Sequence, residues 1–175
     1  MTGERVRLRA IEPEDADALW RWHNDPEAMR WLETSYPESL AQIRKRMQDM
    51  APNSYERTRF AVETVADNRF IGIVCLRDAR PETGRAEIDI YFGESRNEGY
   101  GSEALRLLCK FGFDDMRLHA IQLWVAADNE IARHVYRKIG FVEEGRSREA
   151  FRRDGKLYDM VLMSMLAREY YERYA

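Results

Sequence analysis

The chain has 175 residues, a length that suits one domain with a sizeable core, and we take residues 1–175 as a single domain. Apolar residues make up 45% and charged residues 34%, with a net charge of −3. That balance describes an ordinary soluble protein with no global attraction for a polyanion, so nucleic acid is not an expected partner. No apolar stretch could form a membrane-spanning helix, and Met1 to Arg5 lack the apolar core of a secretory signal, so the expected location is the cytoplasm.

In chain order, Val6, Leu8 and Ala10 alternate with Arg7 and Arg9, which predicts a half-buried first strand. Pro13-Glu14-Asp15 opens a helix, since proline suits a first turn and acids suit the positive end of the dipole. Ala16, Leu19, Trp20 and Trp22 give it an apolar side. A second helix begins near Ser39, which stands at capping-box spacing from Gln42, and carries the stripe Leu40, Ile43, Met47, Met50. Arg59 to Val65 and Phe70 to Arg77 read as strands joined by the turn Ala66 to Arg69. After the turn Pro81 to Gly84, Ala86 to Phe92 is the fourth strand, with Ile88, Ile90 and Phe92 on one face and Glu87, Asp89 and Tyr91 on the other.

A glycine-bearing loop, Arg96 to Gly101, follows. Ser102 to Met116 then reads as a helix, Leu118 to Ala126 as a strand, and Asn129 to Ile139 as a short helix stopped by Gly140. Phe141 to Phe151 and Leu157 to Leu166 form a last strand pair around the hairpin dipeptide Asp154-Gly155, and Ala167 to Tyr174 is a short tail helix. Early strands joined by hairpins are antiparallel, while a strand–helix–strand unit implies one parallel step. The expected fold class is therefore α+β with a mixed sheet. Cys75 and Cys109 sit in apolar runs and are expected as buried free thiols, and no Cys/His grouping has metal-ligand spacing, so no metal is expected.

The segment Arg96-Asn97-Glu98-Gly99-Tyr100-Gly101 lies between a strand and a helix. Successive N–H groups at a helix start cradle an anion, and glycines let the backbone approach a phosphate closely. Taken alone the pattern is equally compatible with a plain turn. It is not a P-loop, for it lacks the Gly-Lys-Ser/Thr ending, and it lacks the third glycine and the parallel setting of a dinucleotide fingerprint.

Arg96, Gly99 and Gly101 match the acetyl-CoA motif Arg/Gln-x-x-Gly-x-Gly/Ala of the GNAT superfamily, and Asn129, Ala132, Tyr136, Lys138, Gly140 and Phe141 match that family's second motif. The chain therefore resembles GNAT N-acetyltransferases over essentially its whole length. Val6 to Arg9, Trp22 to Pro26 and the Arg-Asp-Gly-Lys hairpin are similar to the branch that holds ribosomal-protein N-terminal and spermidine acetyltransferases. The resemblance implies a three-layer arrangement, helices on both faces of a sheet splayed between its fourth and fifth strands. Acetyl-CoA would lie in that opening, its pantetheine arm on the backbone of Ile90, Tyr91 and Phe92 and on Asn129. Its pyrophosphate would lie at Arg96, Asn97, Glu98, Gly99, Tyr100, Gly101 and Ser102.

Tyr136 follows Asn129 by seven residues, which puts both on one helix face. Its position alone suits a core tyrosine. The resemblance makes it the general acid that protonates the departing thiolate and counts it with the cofactor-binding residues. The resemblance also makes Glu87 the general base and a substrate-binding residue, with Asp89 the second candidate and a solvent-facing strand acid the alternative. Related ribosomal-protein enzymes carry Ser at the position of Ala132 and no tyrosine at that of Tyr136, so this chain is closer to the small-amine style of site. His23 could line the acceptor site. Trp31, Glu33 and Tyr36, with Glu38 and Ser39, resemble the acceptor stretch of spermidine acetyltransferases, where acids beside aromatics suit a cation. The expected acceptor is a small-molecule amine or a protein N-terminus, with a polyamine as the alternative and a non-catalytic acyl-CoA sensor as the reading of a different class. A homodimer is frequent among relatives.

Overall fold

The computed structural model describes residues 1–32, 36–95 and 98–174. Of the expected site residues, Glu33, Arg96 and Asn97 lie outside the described residues. Seven strands are described: β1 (Val6–Arg9), β2 (Thr58–Thr64), β3 (Phe70–Arg80), β4 (Arg85–Phe92), β5 (Ala120–Ala126), β6 (Val142–Arg153) and β7 (Lys156–Leu166). They form one mixed sheet in the spatial order β1-β2-β3-β4-β5-β7-β6. All neighbours are antiparallel except β4 and β5, which run parallel.

Helices cover both faces. On one lie α1 (Ala16–His23) and α2 (Leu40–Gln48), whose Leu19, Trp22 and Ile43 pack with Phe70, Ile73 and Tyr91. On the other lie α3 (Tyr100–Lys110), α4 (Glu130–Ile139) and α5 (Ala167–Tyr174), whose Leu105, Leu108, Ile139 and Tyr170 join the larger cluster with Val74, Ile88 and Met163. The alternation along β4 divides between these layers, Ile88, Ile90 and Phe92 facing α3 while Tyr91 faces α1. No helix among the described residues is long and apolar enough to cross a membrane.

Local signals act where the sequence places them. Ser39 Oγ accepts from the Gln42 N–H at 3.2 Å while Gln42 Oε1 accepts from the Ser39 N–H at 2.7 Å, closing the capping box of α2. Asp154 and Gly155 both take left-handed backbone, φ 51° and 75°, as a two-residue hairpin turn requires. Pro13–Asp15 is a short 3-10 turn that leads into α1. Its Asp15 is buried and holds Arg9 through two bonds of 2.8 Å. Cys75 and Cys109 are buried and free, and burial pushes the Cys109 thiol up to about 12.

The third helix differs from its expected bounds. It begins at Tyr100, two residues before Ser102, because Gly99 adopts φ 87° and becomes its N-cap. It then widens into a π-turn at Phe111–Asp115. A Cβ at Gly112 would stand 2.8 Å from Ile121 Cδ1, so this turn lies close on β5. The tail helix ties down the ends of the other two on its face: Tyr171 donates to the Phe113 carbonyl, Tyr174 to that of Ile139 and Arg173 to that of Lys138.

The β4–β5 ladder is short. Only Arg85–Ala120, Ala86–Ile121 and Glu87–Gln122 pair, yet β4 stays bonded to β3 out to Phe92–Gly72 and β5 to β7 out to Ala126–Met160. The sheet forks after Glu87. Gly93, just beyond β4, is crossed by the ring of Trp22, which donates to Glu94 Oε1 at 3.1 Å and packs 4.7 Å from Phe70 and 5.8 Å from Tyr91. A Cβ on Gly93 would fall 1.9 Å from that ring. Replacing Gly93 by Ala should therefore shift Trp22 and cost about 1–3 kcal/mol of stability, read as a lowered denaturant midpoint with an altered tryptophan fluorescence.

Candidate active site

The fork sets two strand edges apart with no ladder between them. On the β4 side, residues 88–92 have no β5 partner; on the β5 side the same holds for 123–126. Backbone N–H and C=O groups facing such an opening are available to a ligand that carries amides of its own. Glu87 sits at the last paired rung, where the strands part, and Asp89 is the next residue on the same face.

Glu87 is largely covered, its side chain 16% exposed. Burial pushes its carboxyl above the usual range, although Arg77 pairs with one oxygen and Gln122 stands 3.5 Å from the other. Gln122 in turn accepts from Arg85 at 3.0 Å. Arg77 also holds Asp89 at 2.7 Å. Asp89 is the more open carboxylate, with a side chain 57% exposed. Its charge reaches both Cys75, its cross-strand neighbour, and Tyr136.

Tyr136 is on α4, buried, and edge-on to Phe141 at 6.0 Å. Burial foremost, and the Asp89 carboxylate second, push its phenol well above the ordinary value, so it keeps its proton at neutral pH. Asn129 is the N-cap of α4: its Oδ1 accepts from the Ala132 N–H at 3.2 Å. The structure thus brings Glu87, Asp89, Tyr136 and the open run Ile90, Tyr91, Phe92 to one place.

At the mouth of the opening, Glu98, Gly99, Tyr100, Gly101 and Ser102 form the start of α3. Gly99 has no capping side chain, so the first amides of α3 lack intrahelical partners and point outward with the positive dipole end. A Cβ at Gly101 would meet Phe92 at 3.5 Å, ordinary contact, so the value of that glycine is the open approach it leaves. This cradle suits a diphosphate. Its support comes from Arg5, which the sequence did not single out. Arg5 Nη1 donates to the Glu98 carbonyl at 2.9 Å, the guanidinium lies 4.2 Å over the Tyr100 ring, and the Arg5 N–H donates to Glu103 at 3.0 Å.

The expected acceptor residues divide. Trp31 stands edge-on to Tyr158 at 5.5 Å and 6.3 Å from Phe151, and Arg153 donates to the Leu32 carbonyl, so the chain after α1 is fastened to the β6–β7 hairpin. Tyr36 is 87% exposed and does not join that cluster. Glu38 is bound by Arg46 and lies 3.6 Å from His23. Burial, then Arg46, lowers the His23 imidazole, so it stays neutral to a lower pH than a free imidazole; its ring is 6.1 Å from Tyr91. Among the described residues, no group of His, Cys, Asp and Glu side chains could hold a metal ion.

Comparison with known proteins agrees with this geometry. Residues 5–142 match the family model described as an acetyltransferase (GNAT) domain. The chain is 31% identical to an uncharacterized N-acetyltransferase, p20, of Bacillus licheniformis, over 95% of this chain and 96% of that one. It is 30% identical to the spermidine N(1)-acetyltransferase of Escherichia coli K12, over 94% of this chain and 88% of that one. Among solved structures, the spermidine N-acetyltransferase of Vibrio cholerae in complex with CoA and spermine superposes with a TM-score of 0.82 at 30% identity, covering 95% of this chain and 98% of that one.

If Arg5 braces the cradle, Arg5→Ala should weaken CoA binding about 3- to 10-fold, the worth of one lost hydrogen bond, while kcat at saturating acetyl-CoA stays near the parent value. Calorimetric titration with CoA measures it; an unchanged dissociation constant removes Arg5 from the cofactor's support.

Proposed function

Because the chain belongs to the GNAT acetyltransferase family and is an acetyl-CoA-dependent N-acetyltransferase, we propose that it acetylates a small cationic amine by direct attack in a ternary complex, with Glu87 as base and Tyr136 as acid. The observation that carries the reading is the fork itself, with a raised carboxyl at its base and a buried, protonated phenol within the field of Asp89. An amine with a pKa near ~10 is mostly protonated at neutral pH and must lose a proton before it can attack. Glu87 or, if closer to the substrate, Asp89 draws in the ammonium and takes that proton. The nitrogen then forms its bond to the acetyl carbon. Backbone N–H groups of β4 receive the charge on the carbonyl oxygen, and Tyr136 donates its proton to sulfur as the carbon–sulfur bond breaks.

Acetyl-CoA fits the residues present. The open edge Ile90–Phe92 accepts an extended, amide-bearing arm, and Glu98 to Ser102 offer a diphosphate cradle. We place Arg96 and Asn97 beside that cradle, and Asn129 beside the arm, on the sequence motif. Trp31, Glu33 and Tyr36 are placed at the acceptor entrance on the same footing, Trp31 supported by its contact with the β6–β7 hairpin. The two buried free thiols suit a cytoplasmic enzyme.

A polyamine is the second reading. The relatives' names bring it forward, and Asp78, Glu87 and Asp89 sharing the single guanidinium of Arg77 favours a cationic acceptor.

Two measurements test the proposal. Release of CoA is followed with spermidine, amino-acid amides, aminoglycosides and short peptides. Tyr136→Phe should lower kcat about 10²-fold or more while acetyl-CoA affinity stays within a few-fold; full activity in this variant would remove Tyr136 from the chemistry. Further, kcat/KM should fall on the acid side through a value above the ordinary glutamate 4.5, because the base works only when ionised and burial holds the Glu87 carboxyl up. In Glu87→Gln that limb should disappear. A limb that persists there unchanged would pass the role to Asp89.

A further inference from the structure

Arg77, in β3, lies directly across from Glu87 in the β3–β4 ladder. Its nitrogens are divided among three carboxylates: Nη2 goes to Glu87 Oε1, Nε to Asp89 Oδ2 at 2.7 Å and Nη1 to Asp78 Oδ2 at 2.5 Å. Asp78 reaches this position by an unusual backbone. It takes φ 55°, within the irregularity that shifts the β3–β4 register between Arg77 and Arg80. Asp is among the few non-glycine residues that adopt this region readily, and here the turn delivers a third carboxylate to one cation. Glu87 and Asp89 thus each already hold a guanidinium nitrogen before any substrate arrives.

This arrangement bears on which amine is accepted. An ammonium entering beside Glu87 and Asp89 meets carboxylates that are partly satisfied, and a second positive charge on the same molecule competes with Arg77 for them. We propose that Arg77 is a specificity-determining residue of the acceptor site, a resident cation that sets how much positive charge the acceptor gains from carrying. The idea rests on the reading of this face as the acceptor site. Nearby charges do not replace Arg77: Arg85 is engaged with Gln122, and Arg59 stands two strands away in the row Arg59–Cys75–Asp89.

The test compares a monoamine and a diamine of equal chain length, 1-aminopentane and 1,5-diaminopentane. In Arg77→Gln the ratio of KM values should move in favour of the diamine by about tenfold, toward the lower end of what one charge at hydrogen-bonding range is worth near a protein surface. Any change in kcat should be common to both amines. Arg77→Lys, which keeps the charge, should restore most of the parent ratio. Asp78→Asn, at an exposed position whose left-handed backbone Asn tolerates, should move the ratio the other way, because Arg77 is then freer to cover Glu87 and Asp89. Equilibrium binding of the two amines without acetyl-CoA reads the same ratio independently of turnover. It therefore separates a failure of this proposal from a failure of the acetyltransfer reading. A ratio that is the same in the parent, Arg77→Gln and Asp78→Asn overturns the proposal.

Discussion

The parallel pairing of β4 with β5 lasts for three residue pairs, and the rest of the site depends on where it stops. Each strand has a second, longer allegiance: β4 to β3 out to Phe92, β5 to β7 out to Ala126. Once the two antiparallel halves follow their own twist, the strands between them separate. Beyond Glu87 the backbone groups that would have paired face an opening instead of each other. Buried peptide groups are normally paired, so the opening is complete only when something with its own donors and acceptors lies along it. The same divergence places Glu87 at the vertex and Asp89 just past it, and brings the α4 tyrosine within reach of Asp89.

The electrostatics of the vertex follow from limited solvent. Burial raises the Glu87 carboxyl and the Tyr136 phenol alike, but with different consequences. For a carboxyl the shift goes toward neutrality and makes a better proton acceptor; for a phenol it goes further from neutrality and guarantees a proton to give. One poorly hydrated cleft thus shifts a carboxyl and a phenol in directions that suit the base and acid roles proposed for them. Arg77 opposes the shift on Glu87, while the charges of Asp89 and Asp78 add to it.

Much of this was legible in the sequence where the signal is local. Ser39 with Gln42, Asp154 with Gly155, and the stop at Gly140 are caps and turns whose chemistry lies within a few residues, and each acts where expected; Asn129, expected inside its helix, is the helix's N-cap instead. The glycine loop and the α4 pattern located the cradle and the phenol only when read together as a family motif. The third helix starts two residues before the expected Ser102, because Gly99 takes a left-handed conformation that no apolar repeat reveals. Its helical run ends next to the expected Met116, but its last turn, Phe111–Asp115, is a π-turn that the apolar spacing does not signal. Arg5 and Arg77 were not visible. Arg5 meets Glu98 across 93 residues, and Arg77 meets Glu87 only through the strand register. Charged residues at such positions look like any solvated strand acid or base until the pairing is known. Tyr36 shows the converse: a plausible aromatic by neighbourhood, it stands clear of the Trp31 cluster.

The fixity of Tyr136 rests mainly on backbone, and that shapes how the site can tolerate change. Its helix is held at the start by the Asn129 cap and stopped at the end by Gly140, which takes φ 120°. The Tyr136 carbonyl accepts from the N–H groups of both Gly140 and Phe141, and the last carbonyls of the helix are taken up by Arg173 and Tyr174 of α5. Preorganised donors are effective because little reorganisation is needed as charge develops. Here that rigidity is supplied by main-chain bonds, by a neighbouring helix and by the packing of the ring against Phe141 in the core. The proposed acceptor side is built oppositely: Asp78, Glu87 and Asp89 all share the guanidinium of Arg77 on the neighbouring strand, so a single residue there can alter the balance of charge. A fold that fixes the donor-side chemistry through its backbone and leaves acceptor electrostatics to a few exchangeable side chains can keep one reaction while changing which amine receives the acetyl group.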